Sequence, residues 1–508
     1  MSEPPDLETL ARRYLDLWQD QVSALAADPE FTETLGRMLQ VSAALGPAGW
    51  MSLWSAAAAG LKPQKSHDAS PTRPAANPSA APRPAAAAAA PHDGGDDVAE
   101  LRRRIAALKS VSLTSPPNDA RRGPENGADW TWLTRVPWQR AVQERADTLR
   151  RDLASVDLDA FAAAVGREVR RRLDELATGL TRYRRHPYRR ELKPARSIWH
   201  DGTTHLRDYG TGVESPDERP VLVIPSLINR AYVLDLTAER SFMRFLAARG
   251  FRPYLVDWGR PGPVERGFGL SDYILGRLGT ALDRVIERTA QRPAVIGYCM
   301  GGNLALGLAS ARPRDVSALA LLATPWDFHA DRADLAHATA HAMTPWMPVI
   351  EQLGEMPVDV LQSLFFALDP FLGARKFRAF ASADPGSPKA LEFVALEDWL
   401  NDGVPLAARV ARECLIGWYG SNQTARGEWR LGGRAVLPSR IEVPSFVVIP
   451  EQDRIVPPAS AEALARALPN VTRLSPPVGH IGMMVGGKGI EAVWQPLAGW
   501  LDSAGAPR

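Results

Sequence analysis

The sequence predicts an α/β fold: a mostly parallel, doubly wound sheet with an inserted helical cap, preceded by a helical N-terminal extension. Three observations predict it. Short, continuous apolar runs recur after residue 196, and runs of that kind suit strands covered on both faces. Helical stretches lie between or after them. One interval, 326–441, carries no convincing central strand, and its aromatic- and proline-rich text reads as a helical cap over the sheet's carboxyl edge.

The strand candidates, in order, are Val221–Pro225, Arg252–Trp258, Pro293–Cys299, Ala318–Pro325 and Pro444–Pro450. Helices are expected at Ser241–Arg249, Ser271–Thr289 and Ala459–Leu468. The core therefore falls in two parts, 197–325 and 442–508, on either side of the cap. Ahead of it, residues 1–61 read as helical, with Leu10, Tyr14, Leu17, Trp18, Val22 and Leu25 on one face. Residues 62–97 collapse to Pro, Ala, Ser and Gly, a composition that cannot bury a core and reads as a disordered tether. Residues 98–196 are again helix-prone. Phe161, Val165, Val169, Leu173, Leu176 and Leu180 form a four-residue stripe, and arginines from Arg170 to Arg190 crowd its far end. That basic run is either a solvated face or an attractor for a phosphate-bearing ligand or acidic partner.

Bulk properties narrow the class. A chain of 508 residues with 45% apolar content suits one large catalytic domain with appended segments. A formal charge of +2 gives no sign of nucleic-acid binding. Two cysteines, Cys299 and Cys414, are too few for a disulfide framework and suit a reducing cytoplasm. The opening MSEPPDLETL shows no secretory signal, and no apolar run is long enough to span a bilayer.

The strongest local signal is Gly297-Tyr298-Cys299-Met300-Gly301-Gly302, between a strand candidate and a small-residue helix. In a nucleophile elbow the central residue is held in a strained turn, and flanking glycines avoid the neighbouring backbone. Here cysteine takes the place of serine, at a helix N-terminus whose dipole favours negative charge. Cys414 lacks that context and is expected to pack inside the cap. An α/β-hydrolase places its acid and then its histidine after the nucleophile. Asp453, after the Pro444–Pro450 strand, and His480, in a loop 27 residues on, occupy those places. The expected catalytic set is thus Cys299, His480 and Asp453. Backbone N–H groups of Met300 and Ile228 are expected to form the oxyanion hole. Asp257 and Asp327 are read as loop-orienting residues, and no metal or cofactor is expected.

At this point the chain resembles the polyhydroxyalkanoate synthases over about residues 183–500. The stretches that carry the likeness are Pro225–Tyr232, Leu255–Gly259, the elbow Gly297–Gly302, Thr324–Phe328, Asp453 ahead of Ile455–Pro458, and Gly479–Gly482. The last is most similar to the class whose catalytic subunit works with a separate partner subunit. The resemblance implies (R)-3-hydroxyacyl-CoA as substrate, growth of a polyester with release of CoA, and residence at a storage-granule surface. It also implies that Asp453 helps to activate the attacking hydroxyl, and that the chain is a homo-oligomer or has a partner subunit. The N-terminal segment then reads as a tethered stand-in for an activating subunit, a granule-surface or oligomerisation helix, or a solubilising extension. Two other readings stand beside it: a thioesterase or polyester depolymerase on the same three residues, and a non-enzymatic granule scaffold.

Overall fold

The computed structural model describes residues 6–26, 138–210 and 219–504. The anticipated helical stretch from Phe31 to Leu45, the tether and the N-terminal part of 98–196 lie outside them.

An eight-stranded sheet forms the centre. Its strands are β1 (Arg196–Asp201), β2 (Thr204–Asp208), β3 (Arg219–Ile224), β4 (Phe251–Asp257), β5 (Ala294–Tyr298), β6 (Ala318–Leu322), β7 (Ser445–Val448) and β8 (Val471–Leu474). The spatial order is β1-β2-β4-β3-β5-β6-β7-β8. From β4 to β8 every pairing is parallel, while β1 and β2 join antiparallel at one edge. The sequence reading did not single out that edge hairpin. Its residues are mostly polar, and those of β1 are largely exposed, so no apolar run marks it. The Asp201-Gly202 turn, with Gly202 at φ 56°, was the available signal.

The central strands are buried along nearly their whole length, as continuous apolar runs require. Helices α4 (Phe242–Ala248), α5 (Gly279–Thr289) and α6 (Met300–Ala311) precede the cap, while α13 (Pro458–Ala467), α14 (Gly482–Val485) and α15 (Gln495–Ala504) follow it. Two apolar clusters result, one on each face of the sheet, and Cys299 packs against both.

The cap between β6 and β7 holds helices α7 (Ala333–Met343), α8 (Met347–Leu353), α9 (Val358–Leu368), α10 (Leu372–Ala381), α11 (Pro388–Asn401) and α12 (Ala408–Arg412). A π-helical segment, Glu413–Gly420, follows. The N-terminal extension contributes α1 (Leu7–Ala26), α2 (Arg140–Leu153) and α3 (Leu158–Arg184), packed on one another through Leu10, Tyr14, Leu17, Val142, Leu149 and Phe161. Asp157 caps α3 by accepting from the Asp159 and Ala160 backbone N–H groups at 3.0 and 3.3 Å, a device worth about 1 kcal/mol. The packed face of α3 coincides only in part with the stripe the sequence suggested. Phe161, Ala164, Glu168, Arg172 and Gly179 are buried, whereas Val165, Val169, Leu173, Leu176 and Leu180 are half-buried. The helix lies between α1 and α10, so two faces share the burial. Arg172 pairs with Glu168 and Asp16 at 2.8 Å, and Arg171 pairs with Glu168 at 2.6 Å.

Register brings the strand ends together. Ile224 pairs with Gly297, Tyr298 with Leu322, Leu322 with Val448, and Val448 with Leu474. The loops after β3, β5, β7 and β8 therefore emerge side by side at one edge, where ligand-facing groups gather in such sheets.

Candidate active site

Cys299 follows β5 directly and opens α6 at φ 56° and ψ −129°, a conformation that costs a non-glycine residue energy. Its neighbours show why the turn can be this tight. A Cβ at Gly297 would strike the backbone of Gly301 and Gly302. One at Gly301 would enter the carbonyl of Ile224, and one at Gly302 the Thr324 side chain. The Cys299 N–H donates to the Leu322 carbonyl at 2.9 Å, and the Cys299 carbonyl accepts from Gly302 N–H at 2.9 Å. Cys299 as a whole is half-buried.

Asp453 and His480 meet from two adjacent loops. His480 Nδ1 and Asp453 Oδ2 are 2.6 Å apart, and both side chains are almost wholly buried. The other carboxylate oxygen, Oδ1, accepts from the backbone N–H groups of Ile455 and Val456, each at 2.8 Å. Both oxygens of Asp453 are thus engaged, and the carboxylate has no free edge. Burial works to lower the pKa of His480. The Cys299 charge, hydrogen bonds to Asp453 and Cys299, and the Asp453 charge outweigh it and push the imidazole up to about 10. The imidazole therefore has its acid partner on Nδ1 and a hydrogen bond with the Cys299 side chain.

Tyr298, next to Cys299, was not singled out from the sequence. Its ring lies 5.2 Å from the imidazole at 31°, and its hydroxyl donates to the His480 carbonyl at 3.2 Å. Burial, with the Cys299 and Asp453 charges, raises its pKa well above the usual value, so it remains a donor.

Met300 is the first residue of α6, where a backbone N–H has no intrahelical acceptor. The N–H of Ile228 donates to Ser226 Oγ at 3.0 Å within its own loop. That loop is held at both ends by tryptophan. Trp258 Nε1 donates to the Pro225 carbonyl at 3.1 Å, and Trp399 Nε1 donates to the Arg230 carbonyl at 2.8 Å. Between them Asn229 takes φ 68°. Trp399 belongs to the cap, 169 positions from Arg230, a contact no local pattern encodes.

The two loop-orienting aspartates have identifiable partners. Asp257 pairs with Arg207 at 2.8 Å. Asp327 accepts from Asn422 Nδ2 at 2.8 Å and from the His329 N–H at 2.9 Å, tying the start of the cap to the turn just after its π-helical segment. Tyr419, in that segment, has its pKa raised to about 12 by burial, followed by the charges of Cys299 and Cys414. Cys414 packs half-buried against the core cluster, and burial, followed by the Glu413 charge, raises its pKa well above the usual value.

Comparison with known proteins gives the following. A family model described as the alpha/beta hydrolase fold matches residues 219–487. The chain is similar to the poly(3-hydroxyalkanoate) polymerase subunit PhaC of Synechocystis sp., with 32% identity over 319 residues, 61% of this chain and 84% of that protein. The subunit of the same name from Thiocystis violacea is 28% identical over 323 residues, 61% of this chain and 88% of that one. For that of Haloferax mediterranei the identity is 28% over 312 residues, covering 60% and 63%. Among the described residues, no helix is long and apolar enough to cross a membrane.

Proposed function

Because the chain belongs to the α/β-hydrolase fold family and, within it, to the poly(3-hydroxyalkanoate) polymerases, we propose that it polymerises (R)-3-hydroxyacyl units from CoA thioesters with Cys299 as covalent carrier. The observation that carries the mechanism is a cysteine on the elbow, with a histidine hydrogen-bonded to a buried aspartate beside it.

His480 takes the thiol proton, and the sulfur attacks the thioester carbonyl. The Met300 N–H and a donor from the Pro225–Arg230 loop stabilise the oxyanion. As the bond to CoA breaks, the imidazolium returns its proton to the departing CoA thiolate. Thioester has been exchanged for thioester, so the acyl group keeps its activation. The hydroxyl of a second hydroxyacyl unit then attacks, an ester forms and the Cys299 sulfur leaves. A serine acyl-enzyme would already have lost that driving force. With both oxygens of Asp453 occupied and no free edge on its carboxylate, the geometry favours His480 as the group that takes the hydroxyl proton. Asp453 then acts through the imidazole, holding its orientation and its charge. Covalent catalysis of this kind uses no cofactor or metal, and CoA enters only as part of the substrate. We place the protein in the cytoplasm at the surface of its own product, a polyester granule.

Incubating the purified chain with (R)-3-hydroxybutyryl-CoA tests this. Release of CoA with insoluble polyester is expected, and Cys299→Ala should lower it by at least about 10⁴-fold. CoA release with only free hydroxy acid would make the protein a thioesterase instead.

A further inference from the structure

About 180 residues precede the stretch that resembles the synthases, and their described part grips the cap. A Cβ at Gly179 of α3 would overlap the carbonyl of Phe377 in α10, so the two helices touch backbone to backbone. Around that crossing, Arg182 Nη1 donates to the Ala383 carbonyl at 3.0 Å, and Arg378 donates to Glu175 at 3.1 Å. His186 Nε2 lies 2.9 Å from the Pro385 carbonyl. The last turn of α3 places Tyr183 at the end of α11. Its hydroxyl donates to Asp398 Oδ1 at 2.8 Å and accepts from Asn401 Nδ2 at 3.1 Å, while its ring packs edge-on against Phe377.

The residue after Asp398 is Trp399, whose indole N–H holds the Arg230 carbonyl, and Asp402 accepts from Arg230 Nε at 3.2 Å. Successive residues on a helix project about 100° apart. One turn of α11 therefore faces the extension on one side and the loop after β3 on the other. Fixing Asp398 and Asn401 fixes the rotation of that turn, and with it the direction of the Trp399 donor. Only the strained Asn229 separates Arg230 from Ile228.

We propose that Tyr183 is a positioning residue for the loop after β3, acting through Asp398, Asn401 and Trp399. The N-terminal helices thereby set the second half of the oxyanion hole from the far side of the cap. The assignment rests on the reading above that this loop contributes an oxyanion donor. Burial, aided by Asp398, raises the Tyr183 pKa to about 12, so its hydroxyl stays a donor at working pH.

The test separates an oxyanion effect from a general loss of structure, using the full-length chain. Acylation of Cys299 by p-nitrophenyl acetate passes through an oxyanion, whereas alkylation by iodoacetamide does not. Removing an oxyanion donor costs roughly 10²–10³-fold. A donor merely displaced costs less, so Tyr183→Phe and Asp398→Ala should each lower the acylation rate by about tenfold, with KM within about twofold. Alkylation should proceed at the wild-type rate in both. The double variant should be no slower than the worse single one, because both break one link. Trp399→Phe should match or exceed them with the same split. Wild-type acylation in Tyr183→Phe and Asp398→Ala would overturn the proposal, as would parallel loss of acylation and alkylation. A wild-type chain that shows no acylation burst would instead overturn the nucleophile assignment.

Discussion

Two glycines, Gly301 and Gly179, sit at equally close backbone approaches in two different parts of the molecule. Gly301 abuts the Ile224 carbonyl at the centre of the sheet, while Gly179 abuts the Phe377 carbonyl where the N-terminal helices meet the cap. What lies behind each contact differs. Ile224 pairs with Gly297 and ends a strand, β3, that is held on both sides by β4 and β5, and it packs into the apolar core. Phe377 belongs to a surface layer held by a small cluster around Phe380, Ala390 and Val394 and by side-chain hydrogen bonds. Closeness alone therefore does not make a position intolerant. The rigidity of the neighbour does. The same contrast separates the proposed chemistry from its proposed control: Cys299, Asp453 and His480 hang from the rigid edge, and the seam reaches the loop after β3 through Trp399 and Asp402.

The largest effect should come from the edge. Asp453→Asn keeps the shape but changes which imidazole nitrogen carries the proton, so acyl transfer should fall by about 10³–10⁴-fold in kcat. Near wild-type turnover would show that His480 does not depend on its buried partner. Next in size is Gly301→Ala, for which chemical denaturation should report a loss of about 3 kcal/mol or more, because neither Ile224 nor Pro225 can withdraw. Gly179→Ala should cost only about 1 kcal/mol, since α3 can lift from the cap. It should also reproduce the slowed acylation of Tyr183→Phe. Equal losses of stability in the two alanine variants would abolish the distinction between edge and seam.

A further effect depends on pH. The pKa of His480 rises from 6.5 to about 10 on folding, so the folded state binds the proton more tightly. The stability it contributes is complete below its unfolded pKa and drains away as pH climbs through the folded value. The gap in Tm between wild type and His480→Gln should thus be widest near about pH 6 and nearly closed by about pH 10. A gap that widens with pH would reverse the assignment of charge in this network.

Much of the edge was legible in the sequence because its signals are local. Buried parallel strands write themselves as apolar runs, the elbow as glycines around Cys299, and the partners as Asp453 and His480 in a fixed chain order after strands. The edge hairpin β1–β2 escaped because a polar strand leaves no apolar run. The seam was illegible for a different reason. Tyr183 and Asp398 are 215 positions apart, and neither has a period or motif that names the other. The stripe on α3 marked only part of the packed surface, since a helix between two partners divides its apolar surface. The engagement of Ile228 by Ser226 likewise depends on a loop conformation that residue types do not specify.

The central claim is that Cys299 carries the growing acyl group as a thioester. Mass spectrometry of acid-quenched enzyme, taken during turnover of (R)-3-hydroxybutyryl-CoA, tests it most directly. The account predicts a hydroxybutyryl adduct on the peptide containing Cys299, released by hydroxylamine and absent from Cys299→Ala. An adduct on Cys414 or on any serine, or CoA release with Cys299 unmodified throughout, would contradict it.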